Sequence, residues 1–196
     1  MAGQFEATPG GGAAVALDEV EIAILRSLAV QLMELIGPGG EPADGDDPLA
    51  ALFTEGPTEP PADPALARLF PEAYGDDDSE LREASAEFRR FTENDLRTHK
   101  REDALVVVRS LDALTPAADG DAVLTLTEDE SRHWLGALND LRLTIGTRLE
   151  VSDEDEGEDG SLYRLPDSDP RKPMVMAYLW LGALQETLIE TLMPHQ

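Results

Sequence analysis

The chain has 196 residues, with 41 acidic against 15 basic for a formal charge of -26, 41% hydrophobic content and no cysteine. It is long enough for one domain with its own core. It is too acidic to bind nucleic acid broadly, because such binding is driven by Lys and Arg neutralising phosphates. It also lacks the thiols that disulfides, thiolate metal sites and redox switches require.

The opening MAGQFEATPGGG has neither a basic region nor an apolar stretch, and no run reaches the ~18 apolar residues of a membrane span. The expectation is a cytoplasmic protein with no membrane contact. QFEAT, the turn PGGG and AAVAL read as a β-hairpin, since consecutive glycines accept the positive φ of tight turns. A first helix is expected from Asp18 to Ile36, with Asp18 as cap, Glu21 at N3 and Leu17 with Ile22 as a hydrophobic staple. Gly37-Pro38 ends it. Residues 37–64 hold seven prolines, five glycines and seven acids with no basic residue, the composition of a flexible linker, broken at most by a short helix at PLAALF.

PALARLF is a short helical piece, and a long amphipathic stretch then runs from Asp78 to Leu114, with Thr92 a point where a fresh helix can begin. AVLTL is a third strand able to pair with the hairpin. Thr127 and Glu130 form a capping box that opens the next helix. Residues 150–159 carry seven acids, so a second solvated linker is expected over about 150–168. Asp169-Pro170 caps a last helix, MVMAYLWLGALQETLIETLM, apolar nearly all round as a central bundle helix is. The fold class is therefore mainly α: a bundle of about four long helices with a hairpin or short three-stranded sheet, in a single domain over 1–196.

The segment ALNDLRLTIGTRLE places charge among apolar residues. At 100° per residue, Arg142 lies inside the arc set by Leu135, Leu138, Leu141 and Ile145, whereas Asn139 and Arg148 flank it and Asp140 faces away. A buried guanidinium needs a partner. Taking Leu81, Phe88, Phe91 and Val106 as the apolar face of the long helix, Asp95, His99 and Glu102 interrupt it, and Asp95 is the expected partner of Arg142. Asn139, and Tyr178 and Gln185 from the last helix, are expected to join Arg142, Asp95, His99 and Glu102 in one buried structural network. An alternative is a metal or an acid–base site at Asp95, His99 and Glu102.

Catalytic motifs are otherwise absent. PGGG lacks the Gly-Lys-Ser/Thr of a phosphate loop, and there is no His-Glu-x-x-His or Gly-x-Ser-x-Gly. DEDEGEDG does not fit a calcium loop, His133 is expected in solvent and His195 is terminal. No enzyme activity, cofactor or metal is expected. Arg82, Arg89, Arg90, Arg97, Lys100 and Arg101 are expected on the outward face of the long helix. They form a basic stripe that is either a solvated face or a docking surface for an acidic partner or DNA, although the net charge disfavours nucleic acid.

EFRRFTENDLRTHK, LNDLRLTIGTRLE and YLWLGALQETLIETL resemble signature segments of an actinobacterial domain family of undetermined function, encoded near the Clp adaptor, that includes AosR-like transcriptional regulators. The resemblance covers most of the chain outside the linkers. It implies a regulatory or protein-interaction protein whose partner is a sigma factor or other transcription machinery. Family members of this kind are implied to sense oxidants through a cysteine pair, which this sequence lacks. DNA binding through the basic stripe is the alternative.

Overall fold

The computed structural model describes residues 3–38, 55–74, 78–115, 121–152 and 164–193. The short helix expected at 48–53, most of the acidic segment 150–159, and His195 lie outside those residues. Three strands, β1 (Glu6–Ala7), β2 (Ala13–Leu17) and β3 (Ala122–Leu126), form one antiparallel sheet in the order β1-β2-β3. Five helices accompany them among the described residues: α1 (Glu19–Ile36), α2 (Pro64–Leu69), α3 (Ser79–Asp112), α4 (Glu128–Leu149) and α5 (Lys172–Leu192). The mainly helical class with a small sheet is as expected from the sequence.

Strand pairing follows from alternation. Ala13, Val15 and Leu17 of β2 face the core, as do Ala122, Leu124 and Leu126 of β3, and Ala13 pairs with Leu126 through to Leu17 with Ala122. The first turn of α1 is fixed by a reciprocal box, Glu21 N donating to Asp18 Oδ1 at 2.8 Å and Asp18 N to Glu21 Oε2 at 3.0 Å. Thr127 and Glu130 repeat it at α4. The backbone and side-chain hydrogen bonds from Thr127 hold the Glu130 carboxyl below its ordinary pKa.

Two element boundaries differ from expectation. α3 runs unbroken through Thr92, whose hydroxyl donates to Phe88 O at 2.8 Å instead of capping a new start. α5 begins at Lys172, with Arg171 at the cap position and Pro173 in the first turn; Asp169 accepts from Arg171 N at 2.8 Å in the preceding turn.

α1 packs on α3, α3 on α4, and α4 on α5, with the sheet against α4 and α5. The shared core includes Leu25, Leu32, Ile36, Val107, Leu138, Leu181, Leu184 and Leu188, each contributing about 1.5–3 kcal/mol by burial. Trp134 lies at its centre, fully buried, edge-on to Phe5 at 6.0 Å, with its indole donating to Ser110 Oγ at 2.9 Å. Phe5 N donates to Thr187 Oγ1, which ties the chain's start to α5.

Candidate functional site

The face that α3 presents to the rest of the protein is set in its C-terminal half by Ala104, Val107, Val108 and Leu111, all buried. Traced backward at 100° per residue, that face carries Lys100, Arg97, Glu93, Arg89 and Ser85. It does not carry Phe88 or Phe91. A wheel centred on Leu81, Phe88, Phe91 and Val106 is therefore turned from the true face by nearly half a turn, about 160°, and two expectations fall with it.

The first is the basic stripe. Arg89 is 5% exposed and donates to Phe70 O from both terminal nitrogens at 3.1 Å, to Glu72 at 3.2 Å and to Glu93 at 2.5 Å. Arg97 takes the other oxygen of the buried Glu93 at 2.7 Å, lies over the Phe70 ring at 4.5 Å, and donates to Ile36 O. Arg101 donates to Met33 O at 2.7 Å and Gly37 O at 3.0 Å. Lys100 meets the buried Asp140 at 2.6 Å.

These contacts have a common cause. α1 carries no basic residue in its last turn, so its terminal carbonyls and negative dipole end need donors from elsewhere, and α3 supplies them. Arg89 does the same just past α2. Of the six stripe residues, only Arg82 is exposed outright, and Arg90 is partly covered between Glu55 at 3.0 Å and Glu87 at 3.5 Å. The outward docking stripe expected from the sequence is thus largely an inward seam.

The second is the network around Arg142. Asp95, His99 and Glu102 are exposed and do not line the interior. Arg142 instead donates to Gln185 Oε1 at 2.8 Å and Tyr178 Oη at 3.3 Å, with its guanidinium carbon 5.0 Å from the centre of the Tyr178 ring. Two glycines border that stack. A Cβ on Gly182 would sit 3.4 Å from Arg142 Nε, and one on Gly146 3.2 Å from the Tyr178 ring. Asn139, also expected in the buried network, is exposed, because its flank position on α4 turns it toward solvent. Arg68, Asn139, Arg142, Thr147 and Tyr178 line an open cavity of about 540 Å³.

A polar cluster that the sequence reading missed joins α3 to α4. Asp103 is buried and lies 2.7 Å from His133 Nδ1, so His133 is only partly in solvent, while His99 stands 4.0 Å from the same carboxylate. Gly136 is what lets Asp103 approach, since a Cβ there would meet Asp103 Oδ2 at 2.4 Å. Asp140, expected to face away, is 2% exposed. Burial raises its pKa, with the hydrogen bond and charge of Lys100 opposing and the Asp103 carboxylate adding to the rise. The arrangement Arg89-Glu93-Arg97 at four-residue spacing was the available signal, because alternating charges in helical register can mark a seam as well as a solvated face. Among the described residues no three His, Asp or Glu side chains converge as metal ligands, Asp95, His99 and Glu102 included. No described helix is long and apolar enough to cross a membrane.

What α3 presents outward is apolar and acidic. Leu81 is 39% exposed, Phe88 47% and Phe91 60%, and Tyr74, 52% exposed, meets Phe88 edge-on at 6.0 Å.

Similar proteins agree with a domain-length relationship. The chain is 32% identical over 184 residues to the oxidative stress regulator AosR of Mycobacterium tuberculosis and to that of Mycobacterium bovis, covering 88% of this chain and 78% of each relative. It is 31% identical to the putative oxidative stress regulator AosR of Mycobacterium leprae, covering 79% of that protein. No solved structure matches it. A family model matches residues 2–192, and the chain belongs to that family, a domain of unknown function, DUF2017.

Proposed function

We propose that this chain is a regulatory protein that acts by binding a protein of the transcription machinery, a sigma factor or RNA polymerase, and not DNA. The observation that carries the reading is the orientation of α3. Arg89, Arg97, Lys100 and Arg101 are engaged with backbone carbonyls or buried carboxylates inside the protein, so the cations a DNA contact needs are withdrawn from the surface. The remainder of the surface belongs to a chain of charge -26, which repels phosphate and attracts basic proteins such as those that themselves bind DNA. The relatives named as oxidative stress regulators support regulation as the role. With no cysteine in the sequence, the input is not a thiol of this chain.

The test is direct. Immobilised protein is presented with purified RNA polymerase, its sigma factors, and labelled duplex DNA at 0.05 and 0.2 M salt. Saturable capture of polymerase or a sigma factor, without DNA, is expected. DNA binding that weakens about 10³-fold or more between the two salt concentrations, the signature of phosphate neutralisation, overturns the reading.

A further inference from the structure

We infer that the outward face of α3 is the docking surface for the regulated partner, and that it takes a basic amphipathic helix. This rests on the reading of the chain as a protein-binding regulator and adds the surface and the partner's chemistry. At 100° per residue Leu81, Ala84, Phe88, Phe91 and Asp95 fall within an arc of about 80°, so the apolar side chains form a ladder along one line of the helix, ~15 Å from Leu81 to Phe91. Tyr74 extends it sideways through its contact with Phe88. Two phenylalanines about half in water, on the side of the helix away from its packed face, add little to the core.

Charge decides what covers the ladder. Glu80, Asp95 and Glu102 flank or continue it, all exposed, and none makes an ion pair among the described residues. Two cations adjoin it: Arg90, which lies over the Phe91 ring at 4.9 Å and is already held by Glu55 and Glu87, and Arg82, exposed beside Leu81 at the start of the ladder. The complementary surface therefore has apolar side chains at three- and four-residue spacing with Lys or Arg toward its two ends, opposite Glu80 and opposite Asp95 and Glu102, the pattern of a helix laid along a groove or face. A second copy of this chain brings the same acids and a charge of -26 against them. An anionic membrane meets the same repulsion.

The test uses the wild type and the double variant Phe88→Asp/Phe91→Asp, both positions being exposed. The probes are an 18-residue Lys/Leu peptide patterned as an amphipathic helix, a scrambled peptide of identical composition, and a Glu/Leu peptide of the same pattern. The wild type is expected to bind the patterned basic peptide at least tenfold tighter than the scrambled one and to ignore the acidic one. The variant is expected to lose at least tenfold of that binding. The variant is two charges more negative, so a purely electrostatic adsorption would tighten; tighter or unchanged binding overturns the assignment. So does sedimentation of the wild type as a dimer that the variant dissociates, which gives the face to a second copy. Retention of polymerase or sigma capture by the variant removes this surface while leaving the proposed function standing. Peptide discrimination by a wild type that captures neither protein removes the function while leaving the surface.

Discussion

At the scale of single residues, the buried pair Lys100–Asp140 makes the sharpest demand. Asp140 is almost wholly buried, its Oδ2 has no hydrogen-bond partner, and its pKa is raised chiefly by desolvation. A carboxyl whose folded pKa lies above its unfolded value binds its proton more tightly in the native state. The resulting stabilisation is fully present below the ordinary carboxylate pKa and is lost as pH rises from that value through the raised one. Lys100 limits that loss by meeting the ionised form at 2.6 Å. Lys100→Ala should therefore cost about 3 kcal/mol at pH 7, where it strands a buried charge. It should cost less as pH falls toward the ordinary carboxylate range, because a carboxyl whose pKa is raised is protonated before its neighbours and no longer needs the cation. Urea unfolding of wild type and variant across that range checks this; an equal loss throughout would mean that Lys100 acts by packing alone.

At the scale of elements, α3 explains which parts of the structure were legible in the sequence. Helix starts were readable because capping is local: Asp18 with Glu21, and Thr127 with Glu130, specify their own geometry within four residues. The β2–β3 register was likewise implicit in alternation. The facing of α3 was not, because its N-terminal half carries its largest apolar side chains on the outside, and a wheel centred on Leu81, Phe88 and Phe91 turns the helix wrong way round. The half that contains Ala104, Val107, Val108 and Leu111 gives the true face. Nor could the wheel anticipate that arginines would face inward to serve another helix's carbonyls, since that depends on which helix end is near. Arg142 is half-buried against α5, where it meets Tyr178 and Gln185, the two network residues expected from that helix, whereas Asp95, its expected partner, is on the surface.

The same element-level account predicts unequal effects along the stripe. Arg101→Ala removes two charge-assisted hydrogen bonds to the end of α1 and should cost about 1.5–3 kcal/mol. Hydrogen exchange should quicken in the last turn of α1, at Met33 to Ile36, while the α4 and α5 core is little changed. Arg82→Ala, at an exposed position, should stay within about 0.5 kcal/mol of wild type. Equal losses from the two substitutions would return the stripe to the surface.

At the scale of the whole molecule, 41 acids against 15 basic residues leave most carboxylates without a cation, and Arg101 is engaged, among the described residues, by backbone carbonyls and not by an acid. Self-repulsion of this kind opposes folding and is screened by salt, with a Debye length of about 10 Å at 0.1 M. Salt also weakens favourable pairs, but the exposed ones here, Arg26–Asp112 and Arg132–Glu128, are of the class that contributes little. The pairs that matter, Arg89–Glu93–Arg97 and Lys100–Asp140, are buried and poorly screened. Repulsion is therefore the term salt changes most, and the melting temperature should rise by several degrees between 0.02 and 0.5 M sodium chloride. A 1 kcal/mol gain corresponds to about 2–4 °C for a chain of this size. Scanning calorimetry across that range tests it. A falling melting temperature would mean that surface pairs outweigh the excess, and it would also weaken the case that this protein's acidic faces are held in readiness for a basic partner.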